Sequence, residues 1–225
     1  MSDNTLKDAF IYDGIRTPFG RHAGALAPVR PDDLLAHTIK SVVERNSFPK
    51  QAYEDVIAGN TNQAGEDCRN VARFASLLAG MPTEVGGLTV NRLCASGLAA
   101  TLHAANSVKI GEGDLFVAGG VESMSRAPLV LSKAQGAYDR GQSLADSTLG
   151  ARFTNPAFAS GYGNDTMPQT ADNIAADVDI SRADSDSFAA ASQAKYEAAR
   201  ADGFFQEEIA ETEVPQGRKK PPITV

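Results

Sequence analysis

Short apolar runs and amphipathic stretches alternate along this chain, most of them closed by glycine. KDAFIYDG (7–14) alternates apolar and polar residues up to Gly14 and predicts a first strand with one covered face. A loop broken by Pro18, Gly20, Gly24, Pro28 and Pro31 follows. PDDLLAHTIKSVVERN then predicts a helix, with Pro31 in its first turn, Asp32 and Asp33 at the positive end of its dipole, and Leu34, Leu35, Thr38, Ile39, Val42 and Val43 on one stripe. The order repeats: EDVIAGN as strand, RNVARFASLLAG as a helix stopped by Gly80, GGLTVN as strand, a helix from Ala95 to Ile110 closed by Gly111 and Gly113, and DLFVAGG as a buried strand. Such alternation predicts an α/β layered sheet with crossover connections. With 225 residues the chain is long enough to bury a core.

After GGVESMSRAP the character changes. Residues 122–168 are rich in Ser, Gly, Asn, Asp and Pro and carry no usable period. TADNIAADV and SRADSDSFAAASQAKYEAARADG predict helices, the second with Ser181 and Asp184 at capping-box spacing and Gly203 as its stop. EEIAETEVPQGRKKPPITV alternates like a hairpin, and its apolar ITV is of a kind expected to continue or pair.

Composition narrows the partners. A formal net charge of −7 gives no long-range attraction to nucleic acid or to an anionic membrane. No apolar run approaches the roughly 20 residues of a membrane helix. MSDNTLKDAF shows neither a basic nor an apolar signal region, which points to the cytoplasm. Cys68 and Cys94 make no disulfide framework, no CxxC pair and no zinc-ligand spacing, so reduced thiols and no metal are expected.

TVNRLCASGLAA (89–100) places Cys94 where a strand hands over to a helix. Unpaired amides and the helix dipole favour an anion there, hence a thiolate, and Ala95, Ser96, Gly97, Ala99 and Ala100 leave room for a ligand. The arrangement resembles the nucleophile elbow of other α/β enzymes. A free cysteine among alanines equally fits a small buried hydrophobe. Cys68, also ahead of a helix, has polar neighbours and no pocket of small residues. A nucleophilic thiol needs a base, usually histidine. His103 lies nine positions beyond Cys94, about 13 Å along the same helix, and is excluded. His37 reads as a helix-face residue and His22 as a loop residue, which leaves the thiol without its base.

Four stretches in order resemble the thiolase family of acyl-CoA acyltransferases: IRTPFGRHAGAL, VNRLCASGLAA, GGVESMSRAP and MPQTADNIA. Within that family, RTPFGRHAGALAPVRPDDL and GNTNQAGEDCRNVARFASLLAG are most similar to members that act on 3-oxoadipyl-CoA in aromatic-compound degradation. The resemblance implies two similar α/β halves, each a five-stranded mixed sheet with helices, and a loop domain inserted in the first. Residues 1–121 would form the first half, 122–225 part of the loop domain, and the second half would be absent.

It further implies that Cys94 is the residue acylated in the first half-reaction. The activating histidine, a second cysteine acting as acid and base, and an asparagine that positions an oxyanion-hole water would belong to the second half. Acyl-CoA and CoA are the implied substrates, with no separate cofactor, in a homodimer or homotetramer. Met167 matches a methionine lining the pantetheine tunnel. Thr166 stands where short-chain acetoacetyl-CoA enzymes commonly carry histidine, which speaks against that substrate, and Phe153 is placed on the other tunnel wall. For Met167 and Phe153, packing within the loop is the competing reading. Arg69 and Asn70 are expected at an interface or in the scaffold. The basic run at 218–220 fits a solvated charge run better than a phosphate contact. Claisen condensation by a biosynthetic enzyme would use the same residues.

Overall fold

The computed structural model describes residues 6–62, 65–217 and 220–225. They fall into two compact units: residues 1–127 with 208–225, and residues 128–207. The sequence reading placed the break after 121 and ran the second part to 225. The observed division comes six residues later, and the last 18 residues belong to the first unit.

The first unit is built on three parallel strands, β1 (Asp55–Gly59), β2 (Gly86–Val90) and β3 (Phe116–Gly120), in the order β2-β1-β3. Gly59 is in register with both Val90 and Gly120, so all three strands end level. α1 (Pro31–Arg45) precedes β1, α2 (Val71–Leu78) connects β1 to β2, and α3 (Ser96–Ile110) connects β2 to β3. The central strand explains its own sequence. Val56 and Ala58 face the core made with Leu35, Ile39 and Val43 of α1 and Val71, Ala72 and Ala75 of α2, while Ile57 packs with Ala100 and Ala104 of α3. Both faces of β1 are therefore covered, which is why DVIAG is a continuous apolar run.

Helix limits follow local chemistry. Pro31 opens α1 with Asp32 and Asp33 in its first turn. Asn70 caps α2 by accepting the Arg73 N–H, and its amide donates to Gly87 O at 2.9 Å, so Asn70 is part of the scaffold. Gly111, at φ +81°, ends α3 in the left-handed region that favours glycine.

Two expectations need correction. The sheet has three parallel strands among the described residues where the resemblance implies five in a mixed sheet. KDAFIYDG, the predicted first strand, joins no ladder: Phe10 and Ile11 are 86% and 84% exposed. It is fixed instead by one backbone bond, Lys7 N–H to Lys109 O at 3.1 Å, and by side chains, the Tyr12 ring on Phe48 with centroids 4.9 Å apart and Asp13 on Arg45 and Asn46. Those contacts hold Asp13 at a pKa of about 2, with the Arg45 guanidinium as the largest cause and the Asn46 amide next.

The predicted terminal hairpin is present as β6 (Glu213–Val214) paired antiparallel with β7 (Ile223–Thr224), flanked by reciprocal Thr212–Val225 backbone bonds. Val214, fully buried, packs with Leu26 and Leu34, and Arg16 exchanges backbone bonds with Glu208 and Ala210. These contacts bring the end of the chain back to the first unit. Of the basic run, Arg218 and Lys219 lie outside the described residues.

The second unit contains the short antiparallel pair β4 (Leu129–Leu131) and β5 (Leu144–Asp146), and helices α4 (Pro156–Tyr162), α5 (Met167–Asp177) and α6 (Arg182–Ala201). The Ser181 hydroxyl caps α6 by accepting the Asp184 N–H. No helix among the described residues is long and apolar enough to cross a membrane.

Candidate active site

The carboxyl ends of the three parallel strands hold the site, the edge at which open α/β sheets place their ligands. β2 ends at Val90, and the next residues make a sharp turn into α3. Leu93 has φ +50°, a left-handed conformation that costs a non-glycine residue roughly 1–3 kcal/mol and persists only where its surroundings over-determine it. Cys94 follows at once, exposed, two residues ahead of the first helical residue.

The turn is held by its own polar groups. The Asn91 side chain accepts the Leu93 N–H at 2.9 Å. The Ser96 hydroxyl, buried, accepts the Arg92 N–H at 2.8 Å and donates to Leu93 O at 2.6 Å. Ala95 has no side-chain cap to offer. The N–H groups of Cys94, Gly97 and Leu98 donate to no described residue, leaving three amides of the turn and first helical turn open to an anion.

Beneath the turn lies Gly59. A Cβ there would sit 2.4 Å from the Ser96 carbonyl carbon and 2.5 Å from Gly97 N, so only glycine lets α3 settle onto the end of β1. The neighbouring strand ends are stitched to it: Val121 N–H donates to Gly59 O at 3.0 Å, and Asn60 N–H to Val90 O at 3.1 Å.

The remaining sequence-predicted residues are placed as follows. Cys68 is exposed in a turn at φ +51°, with Arg69 beside it also exposed and at φ +70°. His22 and His103 are exposed. His37 Nε2 is buried without a hydrogen-bond partner among the described residues. None of the three histidines is bonded to Cys94. Thr166, Met167 and Phe153 belong to the second unit. Thr166 caps α5, its hydroxyl and the Gln169 side chain forming a reciprocal capping box, and Met167 is the first helical residue, 74% exposed. Phe153 is 49% exposed at φ +52°. Thr166 and Met167 are thus adjacent on one helix start, whereas Cys94 stands in the first unit. Gly59, Thr61 and Glu122 were not singled out from the sequence, although the glycine ending an otherwise apolar strand was the available signal.

Comparison with known proteins identifies the family. The thiolase N-terminal domain model matches residues 9–225, and the chain belongs to that family. It is 53% identical over 98% of its length to the beta-ketoadipyl-CoA thiolase of Acinetobacter baylyi, of which it covers 55%. A second relative at 53%, over 91% of this chain and 51% of its own length, is the 3-oxoadipyl-CoA/3-oxo-5,6-dehydrosuberyl-CoA thiolase of Escherichia coli K12. The crystal structure of the Bacillus anthracis acetyl-CoA acetyltransferase is similar with a TM-score of 0.87 and 28% identity, over 99% of this chain and 55% of that one. The chain spans about half the length of the curated relatives it matches.

Proposed function

We propose that the whole protein is a thiolase that cleaves a 3-oxoacyl-CoA, 3-oxoadipyl-CoA in particular, with Cys94 as the nucleophile. The observation that carries this is the exposed thiol on a strained turn, ahead of open amides at the carboxyl edge of a parallel sheet, in a chain of the thiolase family. The 53% identity to enzymes named for 3-oxoadipyl-CoA, against 36% and 28% to acetyl-CoA acetyltransferases, supports the longer substrate.

In this reading the Cys94 thiolate attacks the C3 carbonyl carbon, and the carbonyl electron pair moves to oxygen. The Cys94 N–H is placed to donate to that oxyanion. As the carbonyl reforms, the C2–C3 bond breaks. Its electron pair leaves on C2 as the enolate of acetyl-CoA, which takes a proton, and the remaining acyl group stays on sulfur as a thioester. CoA, as thiolate, then attacks that thioester, releases the new acyl-CoA and restores the Cys94 thiolate. A thioester suits the task because it holds the acyl group yet stays open to a second thiol. The base for Cys94 would come from the rest of the whole protein, since none of His22, His37 and His103 is bonded to the thiol. Run backwards, the same steps are a Claisen condensation.

Thr166, Met167 and Phe153 are proposed as pantetheine contacts, and a cytoplasmic homodimer or homotetramer as the working form. The test is intact mass of the whole protein after incubation with 3-oxoadipyl-CoA, then with acetoacetyl-CoA. An adduct of one succinyl group per chain, lost in Cys94→Ala, is expected with the first, together with faster turnover. No adduct on folded protein refutes the role of Cys94, and faster turnover of acetoacetyl-CoA refutes the substrate.

A further inference from the structure

The strained residue that presents Cys94 is gripped from a second direction, by a strand end far away in sequence. Glu122, just after β3, accepts the Thr61 N–H at 2.8 Å and the Asn62 N–H at 3.3 Å on its two carboxylate oxygens. Thr61, just after β1, passes that hold on: its hydroxyl donates to Leu93 O at 3.2 Å, and its carbonyl accepts the Asn91 amide at 3.1 Å. Asn91 in turn accepts the Leu93 N–H. Both polar backbone groups of Leu93 are therefore tied, directly or through Asn91, to Thr61. A left-handed leucine has no intrinsic reason to hold that conformation.

From this we infer that Glu122 and Thr61 are positioning residues for the nucleophile: Glu122 fixes the end of β1, and Thr61 transmits that fixation to the turn that carries Cys94. The inference rests on Cys94 being the nucleophile. Neither residue touches the reacting atoms. Glu122 is exposed, so its removal leaves no cavity, and among the described residues the bonds lost are those from the Thr61 and Asn62 amides. With those released, the Thr61 hydroxyl no longer has a fixed base from which to hold Leu93 O, and the sulfur loses its set position beside the open amides of Cys94, Gly97 and Leu98.

The chain carries its own internal reference, because Cys68 is also exposed and contacts none of these groups. The experiment is iodoacetamide alkylation of the folded protein at pH 7, with the rate at each cysteine read separately by peptide mass. Glu122→Ala and Thr61→Val should each slow Cys94 about fivefold, the loss equivalent to one net hydrogen bond. Cys68 in the same tubes should keep its rate. Thr61→Ser, which retains the hydroxyl, should restore Cys94 to the wild-type rate. Because the two residues act in series, Glu122→Ala/Thr61→Val should be no slower than the slower single variant. A Cys94 rate within twofold of wild type in both single variants overturns the inference, as does an equal change at both cysteines or a fully multiplicative double variant. Alkylation needs no acyl-CoA, so a wild-type protein that fails to form an acyl adduct would refute the proposed reaction without touching this result.

Discussion

Gly59→Ala tests the seating of α3 on the sheet. The added Cβ would lie 2.4 Å from the Ser96 carbonyl carbon, whereas ordinary contact begins near 3.4 Å, so α3 must retreat by about 1 Å. The obstacle is backbone on a helix already packed through Ala100 and Ala104, not the free end of a flexible side chain. Overpacking of this kind costs about 1–3 kcal/mol, and a rigid neighbour places the expected loss near 3 kcal/mol. Under the reaction proposed above, a 1 Å displacement of the reacting group should lower the acyl-transfer rate on the order of a hundredfold. Gly97→Ala, at the residue next to Ser96 on the same helix, is the control. Its Cβ would meet only Gly119 O at 3.9 Å, and alanine gains up to about 1 kcal/mol over glycine in a helix. Urea denaturation followed by far-UV circular dichroism measures both. Gly59→Ala with a wild-type midpoint, or Gly97→Ala less stable than Gly59→Ala, would refute the reasoning.

Three further outcomes follow from charge and capping. Burial is the largest cause holding the Asp55 carboxyl above the usual carboxylate range, and its Oδ1 has no partner among the described residues. The folded state therefore binds that proton more tightly than the unfolded chain, and the site loses stability as pH rises through the carboxylate range. Asp55→Asn should be more stable than wild type at pH 7, with the gap closing toward pH 4 in urea titrations. Asp13 has the opposite sign: its folded pKa of about 2 contributes stability above the ordinary carboxylate pKa that is lost as pH falls from about 4 toward 2, and Asp13→Asn should remove that part of the acid-side slope. Thr166→Ala removes the hydroxyl that caps α5 and should cost about 1 kcal/mol, read as faster amide exchange in the first turn of that helix.

Much of the first unit could be read from local pattern, because its helices and buried strands carry period, cap and stop in a few residues. Pro31 with Asp32 and Asp33 marked one helix start, and Gly111 one helix end. KDAFIYDG shows where that logic stops. Alternation describes an extended segment, but whether a strand pairs is decided by a distant edge, and here Phe10, Ile11 and Tyr12 all face solvent. Two signals were present and unused: Asn155 before Pro156 opens α4, and Thr166 with Gln169 is a capping box that starts α5 three residues before the reading had it. At the site, the place of Cys94 ahead of α3 was legible because strand, turn and helix are consecutive. The contributions of Gly59, Thr61 and Glu122 were not, since they exist only once β1 and β3 lie side by side.

The path of the chain through its two units has an evolutionary consequence. The polypeptide leaves the first unit after Ala127 and rejoins it at Glu208, where Arg16 and the buried Val214 receive it. Everything between is thus an interruption whose two ends are held by one frame, so its length can change without altering the three parallel strands or the turn that carries Cys94.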